Sequence, residues 1–221
     1  MFDITKLALK IPNFLTNEEC DGLINEFEQR EKDSIKERSK NFYTSKIEDS
    51  TYKVIHLSPN TDNFNLIREK TKEVINQYLN YLSKPKYFFI DTLRDNLKYS
   101  HAYRIMKYEE GDEIHPHSDY DPGIYGSVSF NLNDNYEGGK FQFFNGNYTV
   151  KLKKGDALIF PADYFWVHQV TPVTKGVRYS INSFITNNPY HSNVLGNKIT
   201  QFLGHDYKEN TPKENLLGPY N

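Results

Sequence analysis

The chain has 221 residues, enough for one domain with appended helices and tails, and enough to bury a substantial core without staples. Its 27 basic and 29 acidic side chains give a net charge of −2, so no global basic field exists to hold nucleic acid, and no apolar stretch approaches membrane-spanning length. The single cysteine, Cys20, excludes an internal disulfide and any Cys-x-x-Cys metal site, and suits a reducing cytosol.

The first residues, Met1 to Lys6, lack a basic start followed by an apolar run, so no signal peptide is expected. Residues 7–14 read as a short strand broken by Pro12. Thr16-Asn17-Glu18-Glu19 is a capping box, and Cys20, Leu23, Ile24 and Phe27 follow at helical spacing, which predicts a helix running to about Lys36. Residues 38–62 are polar, with a strand-like piece at 52–57. A second helix is expected from about Asp62, with an apolar stripe through Ile67, Thr71, Val74, Ile75, Tyr78, Leu79 and Leu82, and with Pro85 ending it.

From Tyr87 the texture changes. Short aromatic and β-branched runs alternate with glycine-marked turns at 87–90, 98–108, 113–118, 125–132, 140–144, 148–152, 157–160, 166–171 and 177–186. This predicts a mainly β (α+β) fold: a double-stranded β-helix, or jelly roll, at 87–186, supported by helices within 14–84. Residues 1–190 are expected to form one domain and 191–221 a polar C-terminal tail. Aromatics make up 15% of the chain, enough to fill a core and still line a polar pocket.

Three features carry chemistry. His117 and Asp119 lie two apart in a strand-like run, so both point to one face and can grip one metal ion. With seven histidines in the chain, such a pair alone is weak evidence. His168, in a later strand-like run, completes two imidazoles and a carboxylate, the facial triad that suits a non-haem Fe(II) oxygenase with open positions for other ligands. Arg178 stands ten residues on, and a guanidinium projecting into a barrel is costly unless it meets an anion; its planar fork matches a carboxylate.

Residues 98–186 resemble the prolyl 4-hydroxylase branch of the Fe(II)/2-oxoglutarate-dependent dioxygenases. The resemblance runs through Tyr108-Glu109-Glu110-Gly111, His115-Pro116-His117-Ser118-Asp119 and Phe130-Asn131-Leu132-Asn133. It continues in Glu137-Gly138-Gly139, Gly155-Asp156-Ala157-Leu158-Ile159-Phe160-Pro161 and the stretch from His168 to Tyr179. The opening helix, Phe14 to Cys20, is also similar, while the tail is left unexplained. The resemblance implies His117, Asp119 and His168 as iron ligands and Arg178 as the anchor of the 2-oxoglutarate end carboxylate. An Arg rather than a Lys there is similar to the oxygen-sensing and microbial members.

Further roles follow by position. Tyr108 is either a hydrogen-bonding partner of the cosubstrate or a core tyrosine. Asn131, with Ser129 on the same strand face, is a candidate for reaching the cosubstrate. Phe184 sits where the family often carries Trp near the substrate. Tyr120 and Tyr125, in the loop after Asp119, are lid contacts or exposed turn aromatics. A His115/His117 ligand pair is conceivable, but it would leave Asp119 without a role, so His115 is read as a rim residue. Ile114 replaces an aromatic of some members.

The activity implied is hydroxylation of peptidyl proline, as in procollagen-proline 4-dioxygenases, with oxidative decarboxylation of 2-oxoglutarate to succinate and carbon dioxide. Fe(2+), 2-oxoglutarate and L-ascorbate are the implied cofactors, and dioxygen and a proline-containing peptide or protein the partners, with no nucleic acid and no membrane. The alternatives are the same chemistry on a free amino acid, another side chain or a small metabolite, and a non-catalytic jelly-roll binding module, against which the intact triad and Arg178 speak. A cytoplasmic location is expected, and the Asn-, Lys- and Tyr-rich composition hints at a microbial or viral genome.

Overall fold

The computed structural model describes residues 3–84 and 89–187. The expected tail at 191–221, Pro85 and residues 87–88 of the expected strand lie outside them. Fourteen strands occur among the described residues: β1 Leu9–Ile11, β2 Arg38–Lys40, β3 Ile47–Asp49, β4 Lys53–His56, β5 Tyr99–Tyr108, β6 Ile114–His117, β7 Ile124–Asn131, β8 Glu137–Gly138, β9 Phe141–Phe143, β10 Tyr148–Val150, β11 Ala157–Pro161, β12 His168–Val170, β13 Val173–Lys175 and β14 Arg178–Thr186. The helices are α1 Asn17–Gln29, α2 Asp62–Ser83 and α3 Ile90–Asn96.

Two antiparallel sheets make the jelly roll. The major sheet runs β1-β11-β7-β14-β5-β4 and the minor one β10-β9-β12-β6. Side chains alternate along each strand of the major sheet. Val128, Phe130, Tyr179, Ile181 and Ile185 pack outward against Leu23, Phe27, Val74 and Ile75 of α1 and α2. The other face turns to the minor sheet, where Met106, Tyr108, Phe141, Phe143, Phe160 and Trp166 form the inner core. It also carries Ser127, Ser129, Asn131, Arg178 and Ser180, all 2% exposed or less, so the inner face is apolar at one place and polar at another.

The helices support this sheet as the sequence predicts. Thr16 and Glu19 form the capping box, Thr16 Oγ1 accepting from the Glu19 amide at 3.1 Å and Glu19 Oε2 from the Thr16 amide at 2.8 Å. α2 begins at Asp62, its cap being Thr61. The Tyr78 hydroxyl donates to the Leu7 carbonyl at 2.6 Å and ties α2 to the N-terminal segment.

Some expectations are corrected. α1 ends at Gln29 rather than near Lys36, since Arg30 leaves the helical backbone and a 3-10 turn, Glu31–Asp33, follows. Within 7–14 only Leu9–Ile11 is strand, paired with β11, and a 3-10 turn, Ile4–Leu7, precedes it. The polar 38–49 stretch holds a hairpin, Arg38 pairing with Asp49 and Lys40 with Ile47. Ile90, expected to end a strand, instead opens α3.

One strand is irregular where it matters. On β5, His101 pairs with Phe184 and Arg104 with Asn182, so β5 carries one residue more than β14 between these pairs. Ala102 takes the left-handed backbone, φ 59°, a strain of about 1–3 kcal/mol for a residue with a Cβ. Bulges of this kind re-aim side chains beside functional sites, and here both Ala102 and Arg104 line a cavity that also contains His117 and Asp119.

Candidate metal centre and its cavity

β6 and β12 are neighbours in the minor sheet, with His117 and His168 directly paired. Each imidazole is oriented by a backbone carbonyl: His117 Nδ1 donates to His115 O at 2.9 Å and His168 Nδ1 to Trp166 O at 3.0 Å. Both Nε2 lone pairs are thereby left for a ligand, the tautomer that a metal site requires. Asp119 lies between them, Oδ1 3.4 Å from His117 Nε2 and Oδ2 3.4 Å from His168 Nε2. The ligand atoms of all three residues lie within 4.8 Å of one another. Ser127 Oγ, from β7, donates to Asp119 Oδ2 at 2.6 Å and fixes the carboxylate.

The electrostatics suit a cation. Burial works to raise the Asp119 pKa, but His168, His117 and Ser127 outweigh it and hold the carboxyl well below the usual range. Burial among Phe141, Phe143 and Phe160 pushes His168 down to about 4, so despite its distance to Asp119 this imidazole is neutral and ready to ligate. Burial opposes charge on His117 too, but its bond to Asp119 prevails and raises its pKa. Two neutral-capable imidazoles and a committed carboxylate, with no fourth protein ligand among the described residues, fit an Fe(II) facial triad.

Arg178 is the remaining residue that the sequence singles out. It is 1% exposed, Nη1 donates to Ser180 Oγ at 3.2 Å, Nε is buried without a partner, and no carboxylate of the described residues pairs with it. Its guanidinium sits over the Tyr108 ring, 4.8 Å from the centroid. A buried guanidinium lacking a counter-ion calls for an external anion. Gly139, φ 53°, makes room for it, because a Cβ there would stand 3.0 Å from Arg178 Cδ.

The other expected residues divide. Tyr108 is fully buried, its hydroxyl donating to Met106 Sδ at 3.4 Å, and it meets the site through Arg178. Asn131 is fully buried with its amide engaged, Nδ2 by Asn133 O and Oδ1 by the Tyr136 hydroxyl. Phe184 lines the cavity. Tyr120 and Tyr125 are exposed, Tyr120 edge-on to Tyr164 and Tyr125 near Asn187. His115 lies on the cavity rim, edge-on to Tyr43.

The cavity is about 490 Å³ and is walled by His117, Asp119, Phe184 and the β2–β3 hairpin; His168 and Arg178 do not line it. It also holds Arg104, which with Ser127 is missing from the sequence-based site. The alternation that singles out Ser129 and Asn131 extends one step back to Ser127, and that which singles out Tyr108 leads to Arg104. Burial opposes the Arg104 charge, but Glu37, Tyr52 and Asp119 outweigh it and raise its pKa.

Residues 103–186 match the model of the 2OG-Fe(II) oxygenase superfamily. A PKHD-type hydroxylase of Cupriavidus pinatubonensis is 29% identical over 133 residues, covering 56% of this chain and 58% of that protein. One from Delftia acidovorans is 41% identical over 56 residues, 24% of either chain. The chain thus spans little more than half the length of the first curated relative. Among solved structures, a prolyl hydroxylase of Trichoplax adhaerens, in complex with a hypoxia inducible factor oxygen degradation domain peptide, superposes with a TM-score of 0.61 at 16% identity, covering 86% of this chain and 87% of that one. The viral collagen prolyl hydroxylase of Paramecium Bursaria Chlorella virus-1 gives 0.58 at 19%, covering 81% and 95%. At these identities the structural likeness speaks to the fold. The matched segment, with the His117–Asp119–His168 cluster inside it, is similar to the 2OG-Fe(II) oxygenase superfamily.

Proposed function

We propose that this chain is an Fe(II)- and 2-oxoglutarate-dependent dioxygenase that hydroxylates proline within a peptide or protein. The observation that carries the reading is the pairing of a His–Asp–His triad with a buried guanidinium lacking a counter-ion in one jelly roll. His117, Asp119 and His168 would hold the iron, and Arg178 the end carboxylate of the cosubstrate. When bound, the iron and the 2-oxo acid supply dioxygen activation coupled to decarboxylation of the cosubstrate to succinate, with ascorbate as the accompanying reductant. The protein's own part is positional. The backbone carbonyls of His115 and Trp166 orient the two imidazoles, Ser127 fixes the carboxylate, and the Phe141, Phe143, Phe160 and Trp166 wall excludes water from one side.

The peptide reading is supported by the likeness in fold to prolyl hydroxylases and by the open cavity beside the triad. The proposed setting is cytoplasmic, in keeping with one buried, unpaired cysteine; no helix among the described residues is long and apolar enough to cross a membrane. The test is incubation with Fe(II), 2-oxoglutarate, dioxygen and proline-containing peptides. Succinate release together with the gain of one oxygen on a peptide is expected. Turnover of free proline but not of any proline peptide would overturn the substrate claim, and absence of ferrous binding would overturn the enzyme claim.

A further inference from the structure

The cavity beside the triad is lined by a guanidinium that the reaction leaves without a task. Arg104 lines this cavity together with His117, Asp119 and Phe184. Its side chain is 14% exposed. The guanidinium lies over the Phe184 ring, 5.0 Å from its centroid. Nη1 donates to Glu37 Oε1, Nε is buried without a partner, and Nη2 has no hydrogen bond among the described residues. An Arg offers five N–H donors in a fixed fork, so most of this one's capacity is unspent.

Glu37 decides what the fork can accept. It sits just before β2, 18% exposed at its side chain, and also accepts from the Tyr52 hydroxyl at 3.1 Å. The Arg104–Glu37 unit is therefore neutral as a whole and still rich in donors. A carboxylate ligand would bring a further negative charge into a cavity already lined by Glu48, Asp49, Glu113 and Asp119. A neutral carbonyl oxygen would take the free N–H groups and leave no uncompensated charge. Asn182 and Ser129 stand in the same cross-strand row as Arg104, and Asn182 Oδ1 and Ser129 Oγ are likewise buried without partners. These two lie behind Arg104 rather than on the cavity wall, so within the cavity it is the Arg104 fork that is set for hydrogen bonding to an uncharged polar ligand.

Resting on the peptide-hydroxylase reading, we propose that Arg104, held in place by Glu37 and Phe184, receives a backbone carbonyl oxygen of the substrate and so selects amide-linked residues over free amino acids. Phe184 is on this account the platform for the guanidinium.

The test compares two ligands on the protein loaded with Fe(II) and 2-oxoglutarate under anaerobic conditions, by calorimetric titration. One ligand is a proline tripeptide acetylated at its N-terminus and amidated at its C-terminus, and the other is free proline. The wild type is expected to bind the capped peptide and to discriminate against free proline. Arg104→Met combined with Glu37→Gln removes both charges and leaves neither partner stranded. This variant should weaken peptide binding by about 10-fold or more, the usual effect of losing a hydrogen bond to a charged group. Its 2-oxoglutarate affinity, set at Arg178, should change little. Glu37→Gln alone, which unmasks the positive charge, should shift the preference toward free proline. Peptide binding unchanged in the double variant would overturn the role of Arg104 while leaving the peptide reading intact. A wild type that binds free proline and no capped peptide would overturn both. Normal 2-oxoglutarate binding and an unchanged circular dichroism spectrum in the variants show that a lost signal is not a lost fold.

Discussion

His117 and His168 face one another as a cross-strand pair on β6 and β12, their ring centroids 4.3 Å apart, with the Asp119 carboxylate closing the third side of the triangle. Because both Nδ1 atoms are committed to backbone carbonyls, the geometry for a metal exists before any metal binds. Asp119→Ala is therefore expected to lose more than the roughly 10–100-fold in metal affinity that removal of an outer partner costs. Titration with Co(II), followed by its visible absorption, measures this. Ser127→Ala, which removes only the bond to Asp119 Oδ2, should fall within that range.

Metal binding should release protons. His168 is held neutral down to about pH 4 by burial, while the bond to Asp119 keeps the proton on His117 above the ordinary histidine value. Between about pH 4 and the ordinary histidine pKa near 6.5, the apo site then carries one proton, on His117, that the metal must displace. Affinity should fall by about tenfold per pH unit across that window, with close to one proton released per metal bound. Calorimetry in two buffers of different ionisation enthalpy counts it, and a release of two protons at pH 5.5 would mean that His168 is charged. The pair also sets a sign for stability. The His117 contribution is fully present below the unfolded histidine value and is lost as pH rises through its raised folded value.

Arg178→Ala should chiefly raise the 2-oxoglutarate requirement. Removing one member of a buried charge pair costs about 2–5 kcal/mol, so the cosubstrate Kd should rise roughly 30-fold or more. Metal affinity measured without 2-oxoglutarate should be little altered. If the cosubstrate Kd is unmoved, the anchor lies elsewhere.

Gly139→Ala tests the packing behind that anchor. The backbone there has φ 53°, and a Cβ would stand 3.0 Å from both Arg178 Cδ and Tyr136 Cε2. Loss of more than about 1 kcal/mol of stability is expected, read by urea denaturation, together with weaker 2-oxoglutarate binding.

Thr16→Ala provides the contrast. It removes the acceptor for the Glu19 amide at the start of α1, remote from the metal, and should cost about 0.5–2 kcal/mol in thermal or urea unfolding. The cosubstrate Kd should be unchanged.

The parts legible in the sequence were those set by local chemistry. The capping box at Thr16, the apolar stripe of α2 and the aromatic and β-branched runs of β5, β7, β11 and β14 follow from residue order, since period, residue type and capping are properties of neighbouring residues. The 38–49 hairpin was not legible. Its strands are three residues each, and the described residues of β3 are all exposed, so no alternation marks them. α3 is short, seven residues opening on Ile90, and with Phe89 before it the start resembles a strand end.

The same division runs through the site. Spacing by itself put His117 and Asp119 within reach of one ion, although Asp119 stands just past the end of β6 rather than on its face, and residue type determined that they, His168 and Arg178 could serve a metal and an anion. Only the tertiary structure decided that His168 pairs with His117, that Ser127 clamps Asp119, and that Arg178 is buried without a counter-ion. It alone brought Arg104 into the cavity, through a bulge at Ala102 and a carboxylate, Glu37, from 67 residues away. The physical reason is that burial and long-range charge pairing depend on which strands become neighbours. That choice rests on the free energy of the whole sheet, not on any short stretch of the chain.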